Sequence, residues 1–145
     1  MTEKKSPVGF GLIGCGIIAD IHAQGILNTE EAVLTAVYDT KRESAVKLTE
    51  KYGGDICGSM EELLARGDVE VVCICTPSGM HAEQTAMAAQ AGKHVLVEKP
   101  MAIRLDDVER MIEVCAANDV LLATVFPRRM SPQAAYARQV ISEGR

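Results

Sequence analysis

Aromatic side chains are scarce in this sequence: tryptophan is missing, and two phenylalanines and three tyrosines make up 3% of 145 residues. Such a chain lacks the stacked rings on which single-stranded nucleic acid is held. Basic residues are not in excess either, 15 against 20 acidic ones for a net charge of −5, so no cationic stripe is available for a phosphate backbone. Nucleic acid is therefore not an expected partner. Long apolar runs are missing as well, and none approaches the length that spans a bilayer. Met1 to Pro7 is polar and shows no signal peptide, so the expected location is the cytoplasm, with no membrane partner. The composition, 48% hydrophobic and 24% charged, is that of an ordinary globular domain and excludes a largely disordered chain.

Paired cysteine motifs are also lacking. The five cysteines, Cys15, Cys57, Cys73, Cys75 and Cys115, are odd in number, scattered and set in apolar surroundings, which reads as reduced core residues. Cys73 and Cys75 lie on one face of a strand, but no histidine or second cysteine pair stands at ligand spacing nearby, so no metal site is expected.

What is present begins at Val8. The run Val8 to Ala19, VGFGLIGCGIIA, is a short apolar strand pattern that breaks at Gly14, Cys15, Gly16, Ile17, Ile18, Ala19 and then turns helical. The pattern is GxGxxA between a strand and a helix. Gly14 permits a tight turn, Gly16 clears the backbone for a pyrophosphate, and Ala19 lets the helix pack close to a sheet. The unpaired amides at the helix start, those of Ile17 and Ile18 among them, then face the phosphates. On its own the hexamer is equally compatible with an ordinary glycine turn. A second apolar run, Ala32 to Tyr38, ends in Asp39, about twenty residues beyond Ala19, where a carboxylate can accept both ribose hydroxyls of an adenosine. Asp39 can also cap the helix that follows, and the two roles are compatible.

The remaining chain alternates. Met1 to Ser6 is charged and is expected to be a mobile lead-in; strands are expected at Val8 to Ile13, Ala32 to Tyr38, Asp55 to Cys57, Val69 to Cys75, His94 to Val97 and Val120 to Phe126. Helices are expected at Ile17 to Leu27, Arg42 to Tyr52, Met60 to Arg66, His81 to Ala91, Leu105 to Asn118 and Pro132 to Ser142. Ser59 and Glu62 have capping-box spacing, and Ser131 with Pro132 opens the last helix. Strands and helices in strict alternation with short loops imply an α/β fold, a doubly wound parallel sheet whose ligand sites lie beyond the carboxyl ends of the strands. Gly14 to Ile17, Asp39, Thr76 to His81, Glu98 to Pro100 and Pro127 to Arg129 all follow strand ends, so five clusters are expected on one rim.

The glycine motif, the acidic end of strand two, TPSGMH from Thr76 and VEKPMA from Val97 together resemble the Gfo/Idh/MocA family of NAD(P)-dependent oxidoreductases over nearly the whole chain. That resemblance implies an NAD(P)-binding Rossmann domain over residues 1–145, with Gly14, Gly16, Ile17, Ile18, Asp39, Thr76, Pro77, His81, Glu98 and Lys99 on the cofactor. It makes Lys99, the EKP lysine, the catalytic candidate beside the nicotinamide and the substrate hydroxyl. An ammonium in a cleft can polarise a carbonyl or pass a proton to an alkoxide, whereas a solvated loop lysine is the plainer alternative. Glu98 would orient Lys99 or meet the nicotinamide ribose, unless it serves a backbone partner. Pro100 would hold the Lys99 backbone, through a cis bond if the isomer allows. Thr76 and Pro77 would lie along the nicotinamide side. His81 would stand near cofactor or substrate, or be structural, and Arg129 would meet an anionic substrate group or be a surface arginine.

The sequence departs from the family at Ser78, often Asn, and at Ile103 and Arg104, where a Ser or Thr often precedes the helix. The larger departure is length. The family's second α/β domain, which completes the substrate pocket and through which the full-length protein would form a homo-oligomer, is absent, so a fragment that is weakly active or inactive is expected. The implied activity is hydride transfer between NAD and a secondary alcohol or ketone of a sugar, cyclitol or related polyol. Asp39 favours NAD by repelling a 2′-phosphate, while Lys41 and Arg42 keep NADP as the alternative. A non-catalytic dinucleotide-sensing domain uses the same glycine loop without the EKP and TPxxxH motifs, and a methyltransferase-like nucleoside binder is a more remote rival.

Overall fold

Strands β1 (Val8–Ile13), β2 (Ala32–Tyr38), β3 (Asp55–Ile56), β4 (Val71–Ile74), β5 (His94–Val97) and β6 (Leu122–Thr124) pair in parallel in the order β3-β2-β1-β4-β5-β6. This is the doubly wound order expected from the alternation, with its switch point between β1 and β4. The computed structural model describes residues 6–145; the lead-in expected over Met1 to Ser6 falls, apart from Ser6, outside them.

Alternating side chains send each strand into two cores. Leu12, Val37, Cys73 and Cys75 face the helices α1 (Ile17–Leu27) and α2 (Arg42–Tyr52), which bury Ala19, Ala23, Ile26, Ala45 and Leu48 against them. Ile13, Val72, Ile74, Val95 and Val97 face α3 (Met60–Leu64), α4 (His81–Gln90) and α5 (Leu105–Ala117), whose contributions include Leu63, Ala88 and Met111. The central strands are thus covered on both faces, which is why they read as continuous apolar runs. Cys73 and Cys75 share a core, as the strand period requires.

Element ends move where burial and pairing part company. The expected strand Val69 to Cys75 is regular only over Val71–Ile74, although the Glu70 and Cys75 amides still donate to Gly9 O and Ile13 O, each at 2.8 Å. The sixth strand likewise shrinks to Leu122–Thr124, and helix α3 stops at Leu64. Short 3-10 turns occupy Ser78–Met80 and Pro127–Met130, where loops were expected. At the start of α3, Ser59 Oγ accepts from the Glu62 amide at 3.1 Å, but the Glu62 carboxylate reaches past Ser59 and accepts from the Gly58 amide at 2.6 Å. Helix α6 (Pro132–Ser142) is capped by Ser131, whose Oγ accepts from Ala134 N at 3.2 Å, and buries none of its residues. No helix among the described residues is long and apolar enough to cross a membrane.

Candidate functional site

The turn between β1 and α1 contains two glycines with different physical reasons. Gly14 has φ +87°, and a Cβ there would sit 3.0 Å from the carbonyl carbon and oxygen of Cys75, so the fold itself demands glycine. Gly16 has an ordinary φ of −82°, and a Cβ built on it meets nothing within 4 Å. Space is therefore left open over Gly16 that the fold does not use. No side chain caps α1, so the first amides of the helix, at Ile17 and Ile18, have no side-chain acceptor at the positive end of the helix dipole, although neither residue lines the groove described below.

Asp39 ties this turn to the end of β2. Its Oδ2 accepts from the Cys15 amide and its Oδ1 from the Lys41 amide, each at 2.7 Å. The carboxylate is thus aimed by two backbone donors, and each oxygen retains a lone pair for a further donor. Lys41, not Asp39, is the N-cap residue of α2, so the capping alternative holds only as a turn ahead of the helix.

These groups open on a groove of about 800 Å³ across the switch point. Gly14, Gly16, Asp39, Thr76 and Pro77, all expected from the sequence, line it together. Thr40, Lys41, Ser44 and Gln84 add polar atoms, Met60, Met80 and Met87 an apolar wall, and Glu61 and Glu83 an acidic rim. Gln84 was not singled out in the sequence. It is buried on α4, where its side-chain oxygen is bonded by the Thr76 hydroxyl, fixing the threonine at the lip of the groove.

The remaining candidates gather at the end of β5. Ile74 and Val97 are paired in the sheet and Glu98 N donates to Ile74 O at 3.1 Å, so Thr76 and Lys99 leave adjacent strands side by side. Lys99 is exposed and its bond to Pro100 is cis. Glu98 is 5% exposed, and both of its oxygens are engaged: Oε1 lies 3.0 Å from His22 Nε2 and Oε2 accepts from the Lys99 amide at 3.0 Å. It serves the lysine's backbone instead of its ammonium. For His81, which the sequence left either near cofactor or substrate or structural, the structure shows a bracing role. It is 1% exposed, with Nδ1 3.0 Å from Pro100 O and Nε2 2.9 Å from Thr76 O, so it braces the two loops from beneath. Lys99 itself lies beyond the groove lining, as do His81 and Glu98.

His22 escaped the sequence reading, though a signal existed. It falls with Ala19, Ala23 and Ile26 on the i, i+3, i+4, i+7 stripe that α1 buries, where a polar side chain needs a partner. Arg129 sits exposed on the 3-10 turn after β6, with no side-chain hydrogen bond or ion pair to the residues above. Among the described residues no group of three His, Cys, Asp or Glu could hold a metal ion. All five thiols are free and buried, and burial, joined by the Asp39 charge, pushes the Cys15 thiol up to about 12, which makes it an inert member of the glycine turn.

The open space over Gly16, the uncapped helix start and the doubly anchored carboxylate fit a dinucleotide: backbone amides for its diphosphate, Asp39 for its adenosine ribose. The fold and site are those of a dinucleotide-binding Rossmann protein. More narrowly, the chain belongs to the Gfo/Idh/MocA family, whose model, an oxidoreductase family with an NAD-binding Rossmann fold, matches residues 8–126. It is 33% identical over 135 residues to a myo-inositol 2-dehydrogenase of Thermotoga maritima, covering 92% of this chain and 40% of that protein. It is 31% identical over 142 residues to a D-glucoside 3-dehydrogenase of Escherichia coli, covering 97% of this chain and 40% of that one. Among solved structures, the WlbA dehydrogenase of Bordetella pertussis in complex with NADH and UDP-GlcNAcA superposes with a TM-score of 0.93 at 34% identity, over 97% of this chain and 41% of that chain. The chain therefore spans about two fifths of the length of these relatives.

Proposed function

We propose that residues 1–145 are the dinucleotide-binding domain of an oxidoreductase that moves a hydride between NAD and a secondary alcohol or ketone of a sugar, cyclitol or related polyol. The observation that carries this reading is the His81 brace: it joins the Thr76 loop, at the lip of the groove, to the Lys99–Pro100 loop on the neighbouring strand. When bound, the nicotinamide supplies or accepts the hydride. The amides of Ile17 and Ile18 and the open backbone at Gly16 hold the diphosphate, and Asp39 accepts from the ribose hydroxyls. Thr76 and Pro77 bound the path from groove to lysine. Lys99 Nζ donates a proton to the developing alkoxide when a ketone is reduced and takes one from the alcohol in the reverse direction. Arg129, exposed beyond β6, is available to an anionic group of the substrate. The relatives' greater length supports a further domain that completes the pocket and carries homo-oligomer contacts.

NAD is favoured over NADP. Asp39, Glu61 and Glu83 outnumber Lys41 among the charged groups of the groove, and the two backbone bonds keep Asp39 from turning aside for a 2′-phosphate. Calorimetric titration with both cofactors tests this: NAD binds more tightly, and tighter NADP binding contradicts the assignment. For the chemistry, Lys99→Ala in the complete protein is expected to lower turnover of a cyclitol or sugar by about 10²- to 10⁴-fold with NAD binding retained. Unchanged turnover in a folded variant removes Lys99 from the mechanism and returns the dinucleotide-sensing reading.

A further inference from the structure

His22 and Glu98 form a buried pair that joins distant parts of the chain. Their side chains are 8% and 7% exposed, and they meet at 3.0 Å across 76 residues of sequence. A histidine on the inner stripe of α1 and a carboxylate at the end of β5 are both costly to bury alone, so each needs the other. The contact does not end with the pair. The second carboxylate oxygen of Glu98 accepts from the Lys99 amide at 3.0 Å, so the peptide plane that leads into Lys99 is tethered to α1. On the far side, His81 Nδ1 holds Pro100 O at 3.0 Å. Lys99 thus projects from a dipeptide gripped from both directions, and its side chain is exposed while its anchors are buried.

We infer that His22 is a positioning residue for Lys99, acting through Glu98. The inference rests on the placement of Lys99 beside the cofactor proposed above. Helix α1 begins at the glycine turn, so the same rigid element that faces the diphosphate sets, through His22 and Glu98, where the Lys99 backbone lies. One side chain thereby couples two ends of the site. Without His22, Glu98 Oε1 is left buried and unpaired, the carboxylate swings to find another donor, and the Lys99 amide loses its fixed acceptor. A pair that served only to hold α1 on the sheet would have no need to terminate on this amide.

The test uses the complete protein, acetic anhydride as the probe of the Lys99 amine and NADH as the protecting ligand, with acetylation at Lys99 counted by peptide mass spectrometry. NADH is expected to protect Lys99 in the wild type. In His22→Leu the protection falls by about tenfold, a modest part of what a 1 Å misplacement costs at a reacting centre, while calorimetry shows NADH still bound. His22→Gln, whose side-chain amide can donate to Glu98 Oε1, restores the protection. Wild-type protection in His22→Leu, or equal loss in the Leu and Gln variants, overturns the inference and leaves the reading of Lys99 standing. Absence of protection in the wild type removes both. If His22→Leu does not fold, Glu98→Gln against Glu98→Ala replaces it, since only the glutamine keeps an acceptor for the Lys99 amide. Equal protection in those two variants overturns the inference.

Discussion

Gly14 and Gly16 stand two residues apart and answer to different demands. Alanine at position 14 would adopt a left-handed conformation and press on the Cys75 carbonyl, so Gly14→Ala is expected to cost about 1–3 kcal/mol. Alanine at position 16 meets open space, so Gly16→Ala is expected to cost less than about 1 kcal/mol. Its methyl instead fills the space proposed for the diphosphate, and NAD affinity is expected to fall by about tenfold or more, equivalent to at least about 1.4 kcal/mol. Thermal melts and calorimetry on both variants check the contrast; a large loss of stability with full affinity in Gly16→Ala would contradict it. The turn at Gly14 was legible in the sequence because the motif is local, and the open space over Gly16 agrees with the role proposed for it. His22 was legible only halfway. Its position on the buried stripe of α1 follows from spacing, but its partner Glu98 lies on another strand, and no local pattern reports which strand ends become neighbours.

At the scale of elements, the short helix α3 and the terminal helix α6 illustrate how similar signals acquire different energetic weight. Both begin with a serine whose hydroxyl accepts from an amide three residues on. Helix α3 also buries Met60, Leu63 and Leu64 in the core, whereas α6 buries nothing. Ser59→Ala should therefore lower global stability by about 1 kcal/mol. Leu63→Ala, which empties a fully buried site, should cost about 2–5 kcal/mol. Tyr136→Ala, on the exposed face of α6, should stay within about 0.5 kcal/mol. Urea unfolding of the three variants orders them, and a Tyr136→Ala loss as large as that of Leu63→Ala would show that α6 is packed in solution. The sequence patterns located the six α-helices and six strands found among the described residues, since periodicity and caps are local. They overran β4 and β6 because an apolar run does not mark where regular strand geometry ends: single backbone bonds still join Cys75 to Ile13 and Val125 to Val97 beyond it.

For the whole molecule, the sheet order could be anticipated from alternation and handedness, and with it the convergence of Gly14, Gly16, Asp39, Thr76 and Pro77 on one groove. The inward turn of His81 and Glu98 could not, because it depends on which face of each loop the packed core claims. The packing also leaves a signature in alkali. Burial pushes Cys15 and Cys73 up to about 12 from an ordinary value near 9, and raises Cys75 as well. Unfolded thiols lose protons near pH 9 while the folded ones retain them, so the stability they contribute is complete below pH 9 and falls as pH rises toward 12. Calorimetric melting should show a midpoint that declines above about pH 9, more gently in Cys73→Ala/Cys75→Ala; an identical slope in the variant would contradict this origin.

The coupling of groove and lysine is tested most directly by a crystal structure of the complete protein with NADH bound. The account predicts the diphosphate against the first turn of α1 over Gly16, the adenosine ribose on Asp39, and the nicotinamide ring beside the Lys99 amine. A nicotinamide lying away from the end of β5, with Lys99 in contact only with solvent, would contradict it.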